Sequence, residues 1–541
     1  MMTDDIETTI EELQGGADKL INFRPVLFCA IFLGLGIGLL RAAQAGNGYF
    51  LYLIPLFTAL VLLCVYRTKR TAFSVLALGL FFVLGVGGFA LQTASFCKGR
   101  AYNGEFVFTG RVIEYTENDG RFSVLMDGIN IDGKEENGRL VAYLPASFAE
   151  TIALSDTLLL RGKVQSNYQL FSKDKLRVYA LENNIRFYAY AEDCAITGNQ
   201  FDLFLYIRSQ IEATIKLGMD DTPSSVMIAV LTGNTDFIDE GLLDSVRRGG
   251  IAHIFAVSGL HVGALFGFCL WLIRKTPLRK MSKTARFFLL AGVLLPYGGI
   301  CGFSPSILRS IITCLALYAA RLLGIGTDGI ENISFAAIVV LLFTPSALFS
   351  IGFQLSFAAC YGIAFLSRPI KAGCVALAEK IIKPKGNRED HPQGVCALAF
   401  EKSVAFFSVT LSAQLATLPL LIQSFGYLSV WSLLLNCVAV PLIGALFPLF
   451  LLTVLLAVVF PISLAPILLY IPNLLWSALL LVFQLTDFSA ITLNGFTIFP
   501  VSLLAYFLAL SFLSDKWNVR KIEKGIYFTL FILAFFVTGA V

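Results

Sequence analysis

Two neighbouring stretches set the architecture: AFSVLALGLFFVLGVGGFAL, from Ala72 to Leu91, and FVFTGRVI, from Phe106 to Ile113. The first carries no charge over 20 residues, enough at about 1.5 Å of helical rise per residue to cross roughly 30 Å of hydrocarbon. The second opens a series of short strand-forming runs. It is followed by RFSVLM from Arg121, RLVAYL from Arg139, TLLLRGKV from Thr157 and IRFYAY from Ile185, with turn pairs Asp119-Gly120 and Asp132-Gly133 between them. A membrane-spanning helix therefore gives way abruptly to a soluble β domain, and the chain returns to the membrane afterwards.

Five such runs within about 90 residues predict a small closed barrel, and the OB-fold is the natural candidate for that strand count. Around this insert the chain of 541 residues is 57% hydrophobic and only 14% charged, with a mean hydropathy of +0.76. One water-soluble core could not hide that much apolar surface. Further spans are predicted at Val26–Ala45 and Phe50–Tyr66, then from Gly250–Ile273 through Phe287–Phe303, Ser306–Leu323, Ser334–Leu366, Val404–Gln423, Leu464–Phe483 and Phe499–Leu513 to Ile526–Val541. The run Val430–Phe460 is too long for one simple helix and is expected to be broken by Pro441 and Pro448, crossing once with its first part re-entrant or interfacial. The fold class is a polytopic α-helical membrane protein of about 11 to 12 transmembrane helices with an inserted extracytoplasmic OB-like β-barrel. Its expected parts are a cytoplasmic segment 1–24, three helices in 25–95, the β domain 98–198, an amphipathic connector 201–249 and a multi-helix domain 250–541. The acidic leader with Asp4, Asp5, Glu7, Glu11 and Glu12 is unlike a cleaved signal peptide, so the first span is expected to be retained.

Short loops rich in Lys and Arg stay in the cytoplasm. Placing Arg67–Arg70, Arg274–Arg286 and Arg368–Lys402 inside puts the N-terminus inside and the β domain outside. The 11 cysteines mostly lie in apolar runs and none shows metal-ligand spacing. Cys97 and Cys194 differ because they bracket the β insert, and they are a candidate disulfide if that side is oxidising.

Polar side chains at membrane depth are costly, so each one is a candidate functional group. They gather in five places: Arg247, Arg248, His253, Ser258, Gly259 and His261 in RRGGIAHIFAVSGLH; Arg309 in SPSILRS; Gln354 and Ser356 in GFQLS; Gln414 and Thr417 in QLATLP; and Asn436. On an unbroken helix His253 and His261 would share a broad face about 12 Å apart, too far for one metal ion. Arg309 stands about one turn inside a helix start marked by Ser304 and Pro305, and it is either an interfacial Arg that snorkels or a group that serves the interior. The amide and hydroxyl pairs would equally serve interhelical hydrogen bonding. Together the five places describe helices packed around an interior that is not fully apolar.

The stretch His253-Ile-Phe-Ala-Val-Ser-Gly-Leu-His-Val262 resembles the signature of the ComEC family of competence proteins, channels that bring single-stranded DNA into bacteria. Ser304–Arg309, Gly352–Ala358 and the stretch from Gln414 to Asn436 support the resemblance, which extends over essentially the whole chain. It implies a multi-pass protein of the bacterial cell membrane that passes single-stranded DNA without a cofactor. It also implies a cytoplasmic ATP-dependent helicase-like partner and an external DNA receptor, and leaves a homo-oligomer open. Many family members continue into a metallo-β-lactamase-like domain; no His-x-His-x-Asp-His run occurs here, so no nuclease or other enzymatic activity is expected. The barrel carries 10 Lys and Arg against 14 Asp and Glu from Asn103 to Cys194, a net of 10 − 14 = −4, whereas a strong electrostatic DNA funnel would be basic. Two other classes compete. Ser258 with His261 invites an intramembrane serine hydrolase, although no carboxylate lies nearby to orient the imidazole. A small-solute secondary transporter is the third.

Overall fold

The computed structural model describes residues 24–44, 71–98, 100–118, 121–148, 151–166, 176–255, 257–325, 328–382, 395–429, 431–485, 490–492 and 500–513, with isolated positions from 525 to 532. Two helices come first, α1 (Pro25–Gln44) and α2 (Thr71–Cys97); the span expected at Phe50–Tyr66 lies outside the described residues. The β domain follows as β1 (Asn103–Asn118), β2 (Arg121–Ile131), β3 (Lys134–Glu136), β4 (Arg139–Pro145), β5 (Asp156–Ser166), α3 (Leu176–Glu182) and β6 (Ile185–Asn199). Side chains alternate with the period of two. On β5, Leu158, Leu160 and Val164 are fully buried while Arg161 and Lys163 between them face out. The pairings return on themselves: β1 pairs β5, β5 pairs β6, β6 pairs β4, β4 pairs β2 and β2 pairs β1, all antiparallel except β4 with β6. Phe108, Phe122, Met126 and Phe187 fill the interior.

The remainder is helical: α4 (Leu203–Gly218), α5 (Asp221–Thr232), α6 (Glu240–Gly249), α7 (Gly259–Lys275), α8 (Lys283–Ile300), α9 (Pro305–Leu322), α10 (Gly329–Phe343), α11 (Ile351–Ile382), α12 (Val395–Phe425), β7 (Tyr427–Ser429), α13 (Ser432–Val459), α14 (Ala465–Leu468), α15 (Tyr470–Leu485), β8 (Ala490–Thr492) and α16 (Pro500–Phe512). Among the described residues five helices are long and apolar enough to cross a membrane, within α1, α2, α9, α12 and α13. The expected break in the Val430–Phe460 run does not occur: α13 is one helix with Pro441 and Pro448 inside it. Neighbouring helices can re-satisfy the carbonyls that proline frees. The apolar run from Ser334 to Leu366 instead divides at Thr344 and a short 3-10 turn, Pro345–Phe349. There Gln92 of α2 clamps the turn, accepting from the Ser346 N–H (2.9 Å) and donating to its hydroxyl (2.8 Å). Much of the basic loop expected from Arg368 to Lys402 is helix, because α11 and α12 both run on past their apolar parts.

Within the expected connector 201–249, the middle helix, α5, is part of the core, whereas α4 and α6 each bury only one side. In α5 every side chain from Pro223 to Thr232 is buried, and Val226, Ile228, Val230 and Leu231 join Phe255, Leu294, Phe447 and Trp476 in the main cluster. Fully burying each aliphatic chain is worth about 1.5–3 kcal/mol over leaving it exposed. Beside α5 lies a buried polar chain: Glu212 accepts from Arg208 (3.0 Å), Asn234 (3.2 Å) and Thr232 (3.4 Å). Asn234 in turn accepts from the Asp236 N–H (3.2 Å), and the Asp236 carboxylate accepts from Thr116 of β1 (3.3 Å). Arg111 adds a second tie, pairing with Asp127 (2.7 Å) inside the β domain and with Asp202, the N-cap of α4 (3.4 Å).

Cys97 and Cys194 are both free thiols, so the candidate disulfide is not formed. Arg186, at the start of β6, donates to the Lys98 carbonyl (2.9 Å) and so marks where Cys97 sits. Cys194 lies on the order of 25 Å further along the strand, far beyond the 4.4–6.8 Å that a disulfide spans between Cα atoms. The bracketing in sequence does not become proximity because a long strand separates the two.

The Thr116–Asp236 contact should respond to pH. Burial first, then the Glu114 carboxylate, push the Asp236 carboxyl up to about 6, while Thr116 and Arg208 oppose them. Since the folded value exceeds the unfolded one, near 4, the folded form holds the proton more tightly; the resulting stabilisation is complete below about 4 and lost as pH rises through about 6. Amide exchange at residues 114–118 and 233–238, corrected for intrinsic rates, is expected to show more protection at pH 5 than at pH 7.5. Asp236→Asn should abolish the difference, and an unchanged pH response in that variant would contradict the assignment.

Candidate functional site

The segment between α6 and α7, Gly250 to Ser258, is where the backbone leaves regular helix and where most of the candidate residues meet. His253 and His261 therefore do not share a helix: His253 lies in a 3-10 turn, Ala252–Ile254, and α7 begins only at Gly259. His253 is exposed, while Ile251, Ile254 and Phe255 around it are buried in the main cluster.

At the C-terminal side of the break, Ser258 and His261 form a reciprocal cap. The Ser258 side chain accepts from the backbone of His261, and the His261 Nδ1 accepts the Ser258 N–H at 3.0 Å. This is the capping-box arrangement, with histidine in the place usually held by Glu or Gln. The Ser258 Oγ also stands 3.2 Å from the same Nδ1. With Nδ1 accepting, the ring proton belongs on Nε2, which is buried and finds no hydrogen-bond partner among the described residues while the ring packs on Phe447 at 4.8 Å. The spacing that invited a serine-hydrolase reading is accounted for by the needs of a helix start.

Gly259, the first residue of α7, carries the guanidinium of Arg309. A Cβ there would collide with Nη2 of Arg309 and come within 2.6 Å of the Ser310 hydroxyl. Arg309 does not snorkel: it is 6% exposed and turned inward. Its Nε donates to Ser356 Oγ (2.8 Å), Nη1 to the Cys360 sulfur (3.0 Å) and Nη2 to Ser310 Oγ (2.9 Å), with the Phe357 ring 5.6 Å away. Ser306 stands 3.1 Å from Ser356. Arg309 and Ser356, remote in sequence, are thus direct partners, whereas Gln354 is not in this group; its amide donates to the Leu348 carbonyl (3.0 Å) and closes its own helix start.

At the other side of the break, Gly250 ends α6 with φ at +74°, a left-handed conformation that glycine adopts without strain. A Cβ on it would lie 2.5 Å from the Ser432 Cβ and 2.9 Å from that of Ser429. Ser432 accepts from Gln414 (2.7 Å) and from Asn436 (3.2 Å), and both Ser432 and Asn436 donate to the Gly250 carbonyl at 3.4 Å. Asn436 Oδ1 and Ser429 Oγ are buried and find no hydrogen-bond partner among the described residues. Gln414 and Asn436 are therefore brought together through Ser432, which sequence reasoning missed; a hydroxyl at the start of the longest apolar run was the available signal. Ser306 and Ser310 stood in the quoted SPSILRS run but were not singled out, and Cys360 was read only as one of the cysteines in apolar runs. Arg247 and Arg248 are exposed on the last turn of α6, and Arg248 pairs with Asp244 at 2.5 Å. Among the described residues, no group of three or more His, Cys, Asp or Glu side chains could hold a metal ion.

A family model described as "Competence protein" matches residues 230–518, which take in both sides of the break. The chain is 24% identical over 250 residues to ComE operon protein 3 of Bacillus subtilis, a match covering 46% of this chain and 28% of that protein. Two uncharacterized proteins are 29% and 30% identical over 22% and 24% of this chain, one from Mycoplasma pneumoniae and one from Mycoplasma genitalium, and the matches cover 30% and 32% of their lengths. The chain thus spans about a third or less of the curated relatives it matches. No solved structure matches.

Replacing the cap separates its structural role from nucleophilic chemistry. Ser258→Ala should cost about 1 kcal/mol of stability, in the range for a lost N-cap, whereas Ser258→Asn should restore most of it. Thermal unfolding of both variants, with fluorophosphonate labelling of the parent, provides the check. Labelling of Ser258 would overturn the capping assignment.

Proposed function

Because the chain belongs to the competence protein family, established by the match over residues 230–518, we propose that it passes single-stranded DNA across the bacterial cell membrane through its helical core. The observation that carries this reading is the break at Gly250–Ser258. Side chains from α7, α9, α11, α12 and α13 supply hydroxyls, amides, an imidazole and a guanidinium around it, in helices otherwise made of apolar residues. Irregular backbone at membrane depth is tolerated where it is buried in protein or lines a water-filled cavity, and a hydrophilic substrate needs polar lining. In this reading Arg247 and Arg248 meet phosphates at the approach, and His253, Ser258, Gly259, His261, Arg309, Ser356, Gln414 and Asn436 line or shape the path. Gln354, engaged with its own helix start, shapes it only indirectly.

The β domain is read as an OB-like barrel outside the membrane. The closed order β1-β2-β4-β6-β5, with β4 and β6 parallel, fits the five-stranded Greek-key arrangement of that fold. Its net charge of 10 − 14 = −4 from Asn103 to Cys194 favours bracing or guiding the entrance over gripping DNA. Phe108 and Phe122 are fully buried in its core and present no ring for a base to stack on. The N-terminus is placed in the cytoplasm, with about 11 to 12 crossings in all. Movement inward would be driven by an ATP-dependent helicase-like partner in the cytoplasm, after delivery by an external receptor. The protein acts as a channel rather than an enzyme.

Deleting the gene in a host shown beforehand to be competent is expected to leave DNA binding at the cell surface intact. Entry of labelled DNA into a nuclease-protected compartment should fall by orders of magnitude. Normal entry in the deletion strain, with no second copy present, would sink the channel reading.

A further inference from the structure

We propose that Arg309 and the first turn of α7 form a buried subsite for a single phosphodiester anion. The argument is electrostatic. A guanidinium cannot be deprotonated in a protein, and an uncompensated one at membrane depth is costly. Arg309 is 6% exposed, yet its three hydrogen-bond partners, Ser356, Cys360 and Ser310, are two hydroxyls and a thiol. Among the described residues no carboxylate pairs with it. Arg208, also buried in the helical core, is treated differently, since Glu212 stands 3.0 Å from it. The same contrast holds for Arg24, which reaches Asp328 at the start of α10 at 2.5 Å.

What Arg309 does face is a second positive end. Its Nη2 rests against Gly259, where the 17 residues of α7 begin, and a helix N-terminus carries roughly half a positive charge with free N–H groups. The capping hydroxyl of Ser258 is turned to the His261 backbone and adds no negative charge. Two positive ends meet there, and among the described residues no carboxylate pairs with the guanidinium. One anion would complete the arrangement. Arg309 uses three of its five N–H groups, leaving one on each terminal nitrogen, and a guanidinium fork suits phosphate oxygens. A phosphodiester carries one negative charge to balance Arg309 and presents two free oxygens to those two N–H groups.

Such a group can come from a DNA strand or from a phospholipid headgroup. The DNA source rests on the function proposed above, whereas the anion site stands without it. The purified full chain in a maltoside detergent would be titrated with inorganic phosphate, a thymidine dinucleotide and a short-chain phosphatidylglycerol, against chloride at equal ionic strength, with thermal unfolding as the readout. A saturable rise in Tm with phosphate and with at least one of the two diesters is expected. Arg309→Gln should weaken it at least tenfold, and Arg309→Lys, which keeps the charge but not the fork, should weaken it less. Equal shifts in the parent and in Arg309→Gln would overturn the subsite. If Arg309→Gln fails to fold, Ser356→Ala, which keeps the charge and frees Nε, should still bind but several-fold more weakly; unchanged affinity would overturn the built geometry. A response to phosphatidylglycerol without one to the dinucleotide would retain the phosphodiester site and remove it from the DNA path. A dinucleotide response with DNA entry lost in Arg309→Gln would place it on that path.

Discussion

A backbone that leaves helical geometry among apolar helices must find partners for the polar groups it frees, since each unsatisfied group in hydrocarbon costs several kcal/mol. The Gly250–Ser258 segment meets that requirement at both ends by different means. At Gly250 the carbonyl receives Ser432 and Asn436, with Gln414 holding Ser432 in place. At Ser258 the chain caps itself through His261 and is braced from outside by Arg309 against Gly259. The residue types follow from these contacts. Gly250 needs its left-handed φ and the approach of Ser432, and Gly259 needs room for a guanidinium. A histidine three residues after Ser258 supplies the acceptor for the cap's own N–H.

Those partners come from helices far apart in the chain, so the break also organises the packing of α9, α11, α12 and α13 around it. The β domain is tied to α4 and to the loop before α6 through a continuous series of hydrogen bonds. Thr116 of β1 reaches Asp236, which connects through Asn234 to Glu212 and Arg208 on α4. The loop holding Asn234 and Asp236 leads directly into α6 and so to Gly250.

Much of this was legible in the sequence because the signals were long or costly. Apolar runs such as Ala72–Leu91 announce themselves by length, and strand runs such as Thr157–Val164 by composition. The histidines, Ser258, Arg309 and Asn436 stood out as polar groups where polar groups are expensive. What was not legible depends on partners distant in the chain. The α5 segment, with Asp221, Thr222, Ser224 and Ser225 at its start, reads as a polar-edged connector until its hydroxyls are seen bonded to their own helix turn, as Ser224 Oγ is to the Asp221 carbonyl. Pro441 and Pro448 looked like breakers but sit inside an unbroken α13. Cys97 and Cys194 flank one domain yet lie a strand apart, and the choice between a snorkelling and an inward Arg309 turned on Ser356 and Cys360, 47 and 51 residues away.

The break has to lie beside the passing strand if its polar lining serves transport. A DNA strand carrying a bulky terminal block, taken up by competent cells until it stalls, would be probed with a photo-crosslinking residue at His253 in the break and, as control, at Leu452 on α13, which is 44% exposed. Strand-dependent crosslinking from position 253 and none from 452 is the expected result. Equal crosslinking from both, or none from 253 with a demonstrably stalled strand, would contradict a path through this part of the core.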